Sequence, residues 1–251
     1  MKLKYALLLL FLVPLYVWGQ KDIATQNNSW YMYFGNHKVT DKVGIHTEFQ
    51  WRRNGLIKDV GQSLTRLGVD YKLSPSVMAT AGYAYIVTWP YGEQPVAFKF
   101  REHRIWQQLF LTHASGRFFF NHRFRLEQRF IEKRMDNGDG TSSNDGSFYK
   151  NRARYRFFVS VPLNNKELVK GTFFVSAYDE VFLQFGPNFG LNYLDQNRLY
   201  GAIGYVFDRN ANVQLGYLNQ FIIKGDAVQA ENNHTLQLAL TYNFDFRKNK
   251  E

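Results

Sequence analysis

The stretch "NNHTLQLALTYNFDF", residues 232–246, alternates without a break. Leu236, Leu238, Leu240, Tyr242, Phe244 and Phe246 fall on one face, and Thr235, Gln237, Ala239, Thr241, Asn243 and Asp245 on the other. Successive side chains of a β-strand point to opposite faces. A period of two therefore reads as a strand with one apolar side and one polar or small side. Aromatics crowd the far end of the apolar side.

The same period recurs upstream. "KVGIHTEFQWR" sets Val43, Ile45, Thr47, Phe49 and Trp51 against His46, Glu48, Gln50 and Arg52. "TRLGVDYKL" sets Leu67, Val69, Tyr71 and Leu73 against Arg66, Gly68, Asp70 and Lys72. "NHRFRLEQRF" and "RARYRFFVSV" alternate aromatic and aliphatic residues with Arg and Glu. Eleven such segments occur, roughly 29–36, 43–52, 60–73, 77–87, 98–113, 117–133, 149–162, 169–182, 197–207, 212–224 and 234–246. No helical period of usable length intervenes, and no linker divides the chain.

Composition fits this pattern. Aromatics make up 18% of the 251 residues, yet mean hydropathy is negative. The absence of Cys excludes disulfides, thiolate chemistry and Cys-zinc sites. Residues 1–19 read as a signal peptide cleaved before Gln20. Lys2 and Lys4 precede the apolar "YALLLLFLVPLYVW", which is short for a spanning helix, and Val17 and Gly19 give the small-residue pattern before the cut. Its removal lowers the net charge from +10 to +8. An exported protein meets little nucleic acid, so the basic balance suits anionic lipid headgroups or an Arg-lined interior. After the signal, residues 20–28 form a short lead, 29–247 a single barrel domain and 248–251 a tail.

The connections decide between a soluble sandwich and a membrane barrel. Short links at 74–76, 114–116, 164–166 and 208–211 alternate with long polar or Gly/Pro-rich ones at 88–97, 135–147, 183–196 and 225–232. Short turns at one end, longer loops at the other, an aromatic-rich apolar face and a charged opposite face describe an outer-membrane barrel. Lipid offers no hydrogen-bond partners, so such a sheet must close on itself. The expectation is an all-β, closed antiparallel transmembrane barrel in the bacterial outer membrane of a Gram-negative envelope. The segment 29–36 is hard to place: with the last strand ending in the periplasm, it starts outside. Bacterial single-chain barrels have even strand counts, so about ten or twelve strands are expected.

Several motifs, in order, resemble a known family: "HTEFQWR" (46–52), "TRLGVDYKLS" (65–74), "GYAY" (82–85), "EHRIWQQ" (102–108), "HRFRLEQRF" (122–130), "YDEVF" (178–182) and "DQNRLYGAIGY" (195–205). This family is an uncharacterised group of outer-membrane barrels, domain-of-unknown-function family 2490. The resemblance runs from about Trp30 to Phe246. It implies a barrel and no activity, so it brings no catalytic residues.

The face opposite the apolar stripe is the candidate site. Glu48, Arg52, Arg66, Glu102, Arg104, Arg123, Arg125, Glu127, Arg129, Arg152, Arg154, Arg156, Glu180 and Arg198 share it, ten Arg to four Glu. Forked guanidinium–carboxylate contacts across strands about 4.8 Å apart predict a layered ion network that fills the barrel. The excess of Arg keeps an alternative open: an anion-permeable channel or a binder of small anionic solutes. A rim hydrolase acting on envelope lipid is a second alternative, resting on isolated histidines such as His103, His113 and His122. "DNGDGTSSNDG" (136–146) lacks the oxygen-ligand spacing and distal Glu of a calcium loop and reads as a surface loop. No catalytic residue, metal or cofactor is assigned. The partners expected are outer-membrane lipid and lipopolysaccharide, and the assembly machinery that reads an aromatic last strand.

Overall fold

The computed structural model describes residues 21–247. The signal peptide, Gln20 and the tail at 248–251 lie outside the described residues. Eleven strands follow one another: β1 (Asp22–Lys38), β2 (Val43–Asn54), β3 (Asp59–Ser74), β4 (Val77–Thr88), β5 (Phe100–Ser115), β6 (Phe118–Asp136), β7 (Ser142–Pro162), β8 (Thr172–Phe185), β9 (Leu194–Asp208), β10 (Ala211–Ile223) and β11 (Gln229–Tyr242). Each pairs with its sequence neighbours, and β1 closes on β11 to complete a barrel.

The closed all-β barrel is the expected one, but its closure differs from a purely antiparallel sheet. β1 pairs with β11 in parallel, from Asp22↔Gln229 to Phe34↔Thr241. The neighbours β1–β2 and β10–β11 are antiparallel. A strand that starts at the long-loop end can close an odd-numbered barrel only by running parallel to the last strand. The first segment is thus a full strand, and eleven replaces the choice between ten and twelve. β1 also takes in most of the 20–28 lead. Gln26 and Asn28 give no apolar stripe because they face the interior, where both are buried.

Other boundaries shift for local reasons. The hairpin of β6 and β7 runs past the wall, with Asp136 paired to Ser142, so 135–147 is mostly strand. At the turn end, 163–171 is longer than the expected link at 164–166. β11 stops at Tyr242, and the chain then lies along the end of β1. Lys38 N donates to Phe244 O at 2.8 Å, and Phe246 N donates to Lys38 O at 2.8 Å. The terminal aromatics therefore prolong the parallel seam, and Phe244 packs on His37 with ring centroids 5.1 Å apart.

The alternation sorts side chains cleanly. Phe49, Leu67, Val69, Tyr83, Ile105, Leu126, Leu199, Ile203, Leu215 and Leu238 are exposed on the outer wall, and the fourteen charged residues of the opposite face point inward, buried except for the half-buried Arg52, Arg129 and Arg156. The interior is not uniformly polar, however. Leu64, Ala84, Ile86 and Trp106 form one buried apolar cluster, and Trp30, Tyr200 and Leu218 form another. Gly82 makes the first possible: a Cβ there would lie 2.9 Å from the Trp106 ring. Strand alternation alone shows which residues share a face, not which small residues make room for a large one.

Candidate functional site: the charged barrel interior

Glu127 on β6 is the hub. Its carboxylate accepts from Arg152 at 2.6 Å and Arg154 at 2.7 Å on the neighbouring β7. It also meets Arg66 of β3 at 3.2 Å and Arg104 of β5 at 3.8 Å. Around it, Glu48 binds Arg66 at 2.6 Å and Glu102 binds Arg104 at 2.5 Å and Arg129 at 2.6 Å. Glu180 binds Arg123 at 2.5 Å and Arg154 at 2.7 Å, and Arg125 lies 4.0 Å from Glu48. An eleven-strand barrel is wider than the eight-strand interior that ordinary side chains fill. Long Arg–Glu pairs can bridge that width, and bidentate charge-assisted bonds hold them in fixed geometry.

All fourteen residues face inward, and eleven are brought into this network. Arg52, Arg156 and Arg198 lie within 4 Å of no carboxylate among the described residues; Arg52 and Arg198 stack on Trp30, 3.9 and 5.0 Å from its ring centre, and Arg156 donates to Asn121 Oδ1 at 3.3 Å. Sequence reading missed Asp195, which accepts from Arg152 at 2.6 Å. It sits at the edge of "DQNRLYGAIGY", next to Gln196, where a strand irregularity at Leu194 obscures the alternation. Asp70 was visible on the polar face and is engaged by Asn36 and Thr80, each at 2.6 Å. The interior aromatics Trp30, Trp106 and Phe182 were also missed. Phe182 supports Arg154 at 4.2 Å and Arg198 at 4.6 Å from its ring centre.

The hub carboxylates are sealed: Glu127 is 1% exposed, Glu102 and Glu180 2%. Chemically, the arrangement neutralises charge. Carboxylates held against guanidiniums and closed off from the surface have no room for a substrate beside them, and Arg neither accepts nor releases a proton at ordinary pH.

The histidines lie apart from this network, except His46. His103 meets Tyr83, and His122 Nδ1 lies 2.9 Å from Tyr155 Oη, both on the outer wall. His113 stacks on His122 with centroids 5.4 Å apart. His37 Nε2 lies 2.7 Å from Thr47 Oγ1, and the Phe244 N–H donates to its Nδ1 at 3.1 Å. The neutral ring then carries its proton on Nε2 and donates to the threonine, so it cannot act as base toward that hydroxyl. In the hairpin tip, Asp136 accepts from Gly138 N at 2.8 Å and Asp139 from Thr141 N at 2.9 Å. Both side chains cap their own turns.

A family profile described as "Protein of unknown function (DUF2490)" matches residues 27–231, most of the chain. The chain belongs to this family. Comparison with curated proteins and with solved structures gives no match. The DUF2490 match spans the hub and every charged interior residue, from Glu48 to Arg198. The family's description names no activity, so the chemistry of these residues rests on their geometry alone.

Proposed function

We propose that the chain is an integral outer-membrane β-barrel, exported by its N-terminal signal, in which the interior ion network is a structural core and not an active site. The observation that carries this reading is the inverted distribution of polarity: an apolar, aromatic outer wall around a charged interior. A soluble monomer rarely exposes an apolar patch beyond a few hundred Å², about 300–600 Å² at most. A wall of exposed Leu, Ile, Phe and Tyr on every strand far exceeds that and suits lipid. Polar groups on the same wall pair across strands. Gln107 and Gln128 exchange two amide hydrogen bonds, each 3.2 Å, and Asn197 donates to Asp179 at 2.8 Å. Such pairing is what lipid demands of polar side chains that water cannot reach.

In this placement the tight turns and Tyr242 face the periplasm, and the long loops and Asp22 face outward. The wall meets acyl chains, and the outer loops meet lipopolysaccharide. The terminal aromatics, Tyr242 to Phe246, are the signal read during assembly. The sealed Glu127 layer blocks flow, so the barrel does not conduct. Fractionation tests the placement. The mature protein should remain in the membrane through high-salt and alkaline washes, need detergent for release, and change gel mobility on boiling. Release by salt alone overturns the reading.

A further inference from the structure

We propose that the long-loop half of the barrel interior holds a binding site for a multivalent oxyanion of the phosphate class. A cavity of about 130 Å³ lies there. One water needs roughly 10–15 Å³ by this measure, so the space takes several waters or one small anion. Seven arginines line it, together with glutamines, Trp30 and Tyr91, and no carboxylate does. Five of the seven share the carboxylates of the network below. Arg52 and Arg198 do not.

The surroundings of these two separate a built site from leftover charge. Arg52 Nη1 donates to Gln62 Oε1 at 2.7 Å, and Arg52 Nε donates to Gln50 Oε1 at 3.0 Å. Neutral amides thus hold the guanidinium in place and leave its charge uncancelled. Arg198 rests on Trp30 and Phe182, and its buried Nε has no hydrogen-bond partner among the described residues. Two positive charges beside a polar cavity, Arg198 buried and Arg52 half-buried, both with forks suited to phosphate oxygens, match a dianion better than chloride. In the free protein this charge is uncompensated, which is costly, so a bound anion should stabilise the fold.

The site has a cover. The β4–β5 connection, residues 89–99, crosses the mouth from one wall to the other. Gln94 Nε2 donates to Asp22 O at 3.1 Å, and Lys224 Nζ donates to Gln94 O at 3.4 Å. At Gly92 (φ +77°) a Cβ would strike the Gln26 side chain, so the tight passage of this loop over β1 requires glycine. Tyr91 then reaches into the cavity, passing Gly61, where a Cβ would lie 3.2 Å from its ring. The site lies between this cover on the long-loop side and the Glu127 layer, where it ends blindly. It is therefore a binding site, not a pore, and it stands whether lipid or detergent surrounds the wall.

Melting of the full-length protein in a maltoside detergent, which carries no phosphate, tests this. Sodium phosphate should raise the melting temperature by several degrees above sodium chloride of equal ionic strength. The double variant Arg52→Gln with Arg198→Gln should lose that difference. Equal responses of the parent to both salts overturn the proposal, as does a double variant that keeps the difference. Should the double variant not fold, the ³¹P line width of phosphate added to the parent decides. Broadening that pyrophosphate reverses supports the site, and an unbroadened line overturns it. Displacement by a short-chain phosphatidate assigns the site to a headgroup phosphate, and no displacement assigns it to free phosphate. Failure here leaves the membrane placement untouched, because fractionation reads that separately.

Discussion

Glu127 of β6 and Arg66 of β3 meet at 3.2 Å inside the barrel, although β4 and β5 separate their strands in the wall. The wall hydrogen bonds fix neighbours only. This contact, with Arg66 also bound to Glu48 at 2.6 Å, ties distant strands to each other through the interior.

Glu127→Gln should therefore be among the most damaging conservative changes. Gln is nearly isosteric, but it leaves Arg66, Arg104, Arg152 and Arg154 facing one another without their shared negative charge and with an NH2 donor where one carboxylate oxygen stood. Removing one partner of a buried pair typically costs about 3–5 kcal/mol, because the other charge stays buried. The denaturant midpoint of the purified barrel should fall accordingly. An unchanged midpoint would mean that water screens these charges.

Adjacent residues of β11 should differ sharply. Leu240 is 39% exposed on the outer wall, and Ala239 is 4% exposed toward the interior. Leu240→Arg should cost about 2–4 kcal/mol if it lies near the bilayer midplane, and it should reduce the heat-modifiable fraction in membranes. Ala239→Ser should insert normally. Equal insertion of the two would invert the assignment of wall and interior.

The parallel seam can be trapped chemically. Tyr31 of β1 and Leu238 of β11 are register partners. Neighbouring strands lie about 4.8 Å apart, within the Cα separations that a disulfide tolerates. The chain has no Cys to compete. Tyr31→Cys with Leu238→Cys should give a monomeric cross-link, seen as a shift on a non-reducing gel. Antiparallel closure would place Tyr31 opposite a different residue, and no cross-link would form.

The sequence shows the wall far better than the seam. Alternation in "HTEFQWR" or "NNHTLQLALTYNFDF" assigns faces directly, because pleating dictates it. Closure is different. Nothing in Gln26 or Asn28 announces a parallel partner, since pairing of β1 with β11 is a contact between the two ends of the chain. The charged interior was legible as a face, from Glu48 to Arg198, but not as a network. Which Arg meets which Glu depends on barrel width and strand stagger, neither of which a single strand carries. Arg52 and Arg198 look like the other arginines in sequence. Only the structure separates them, by placing amides and aromatic rings where the five other arginines that line the cavity have carboxylates.

The last prediction concerns Arg154, which lies between the blind cavity and the sealed layer. It donates to Glu127 Oε1 at 2.7 Å and to Glu180 Oε1 at 2.7 Å, with its guanidinium 4.2 Å from the Phe182 ring centre. If this is a dry structural joint, Arg154→Gln strands parts of two carboxylates and should lower the melting temperature. Planar bilayers containing the parent should show no current, and the variant should show no gain. A wet, conducting path behaves differently: water screens the charges, the melting temperature barely moves, and the parent passes anions with a selectivity that weakens in the variant. Melting temperature and reversal potential together separate the two cases. The burial of Glu127 and Glu180 points to the first, a lower melting temperature and silence in the bilayer. A clear anion-selective current from the unmutated protein would overturn both the sealed layer and the structural reading of the network.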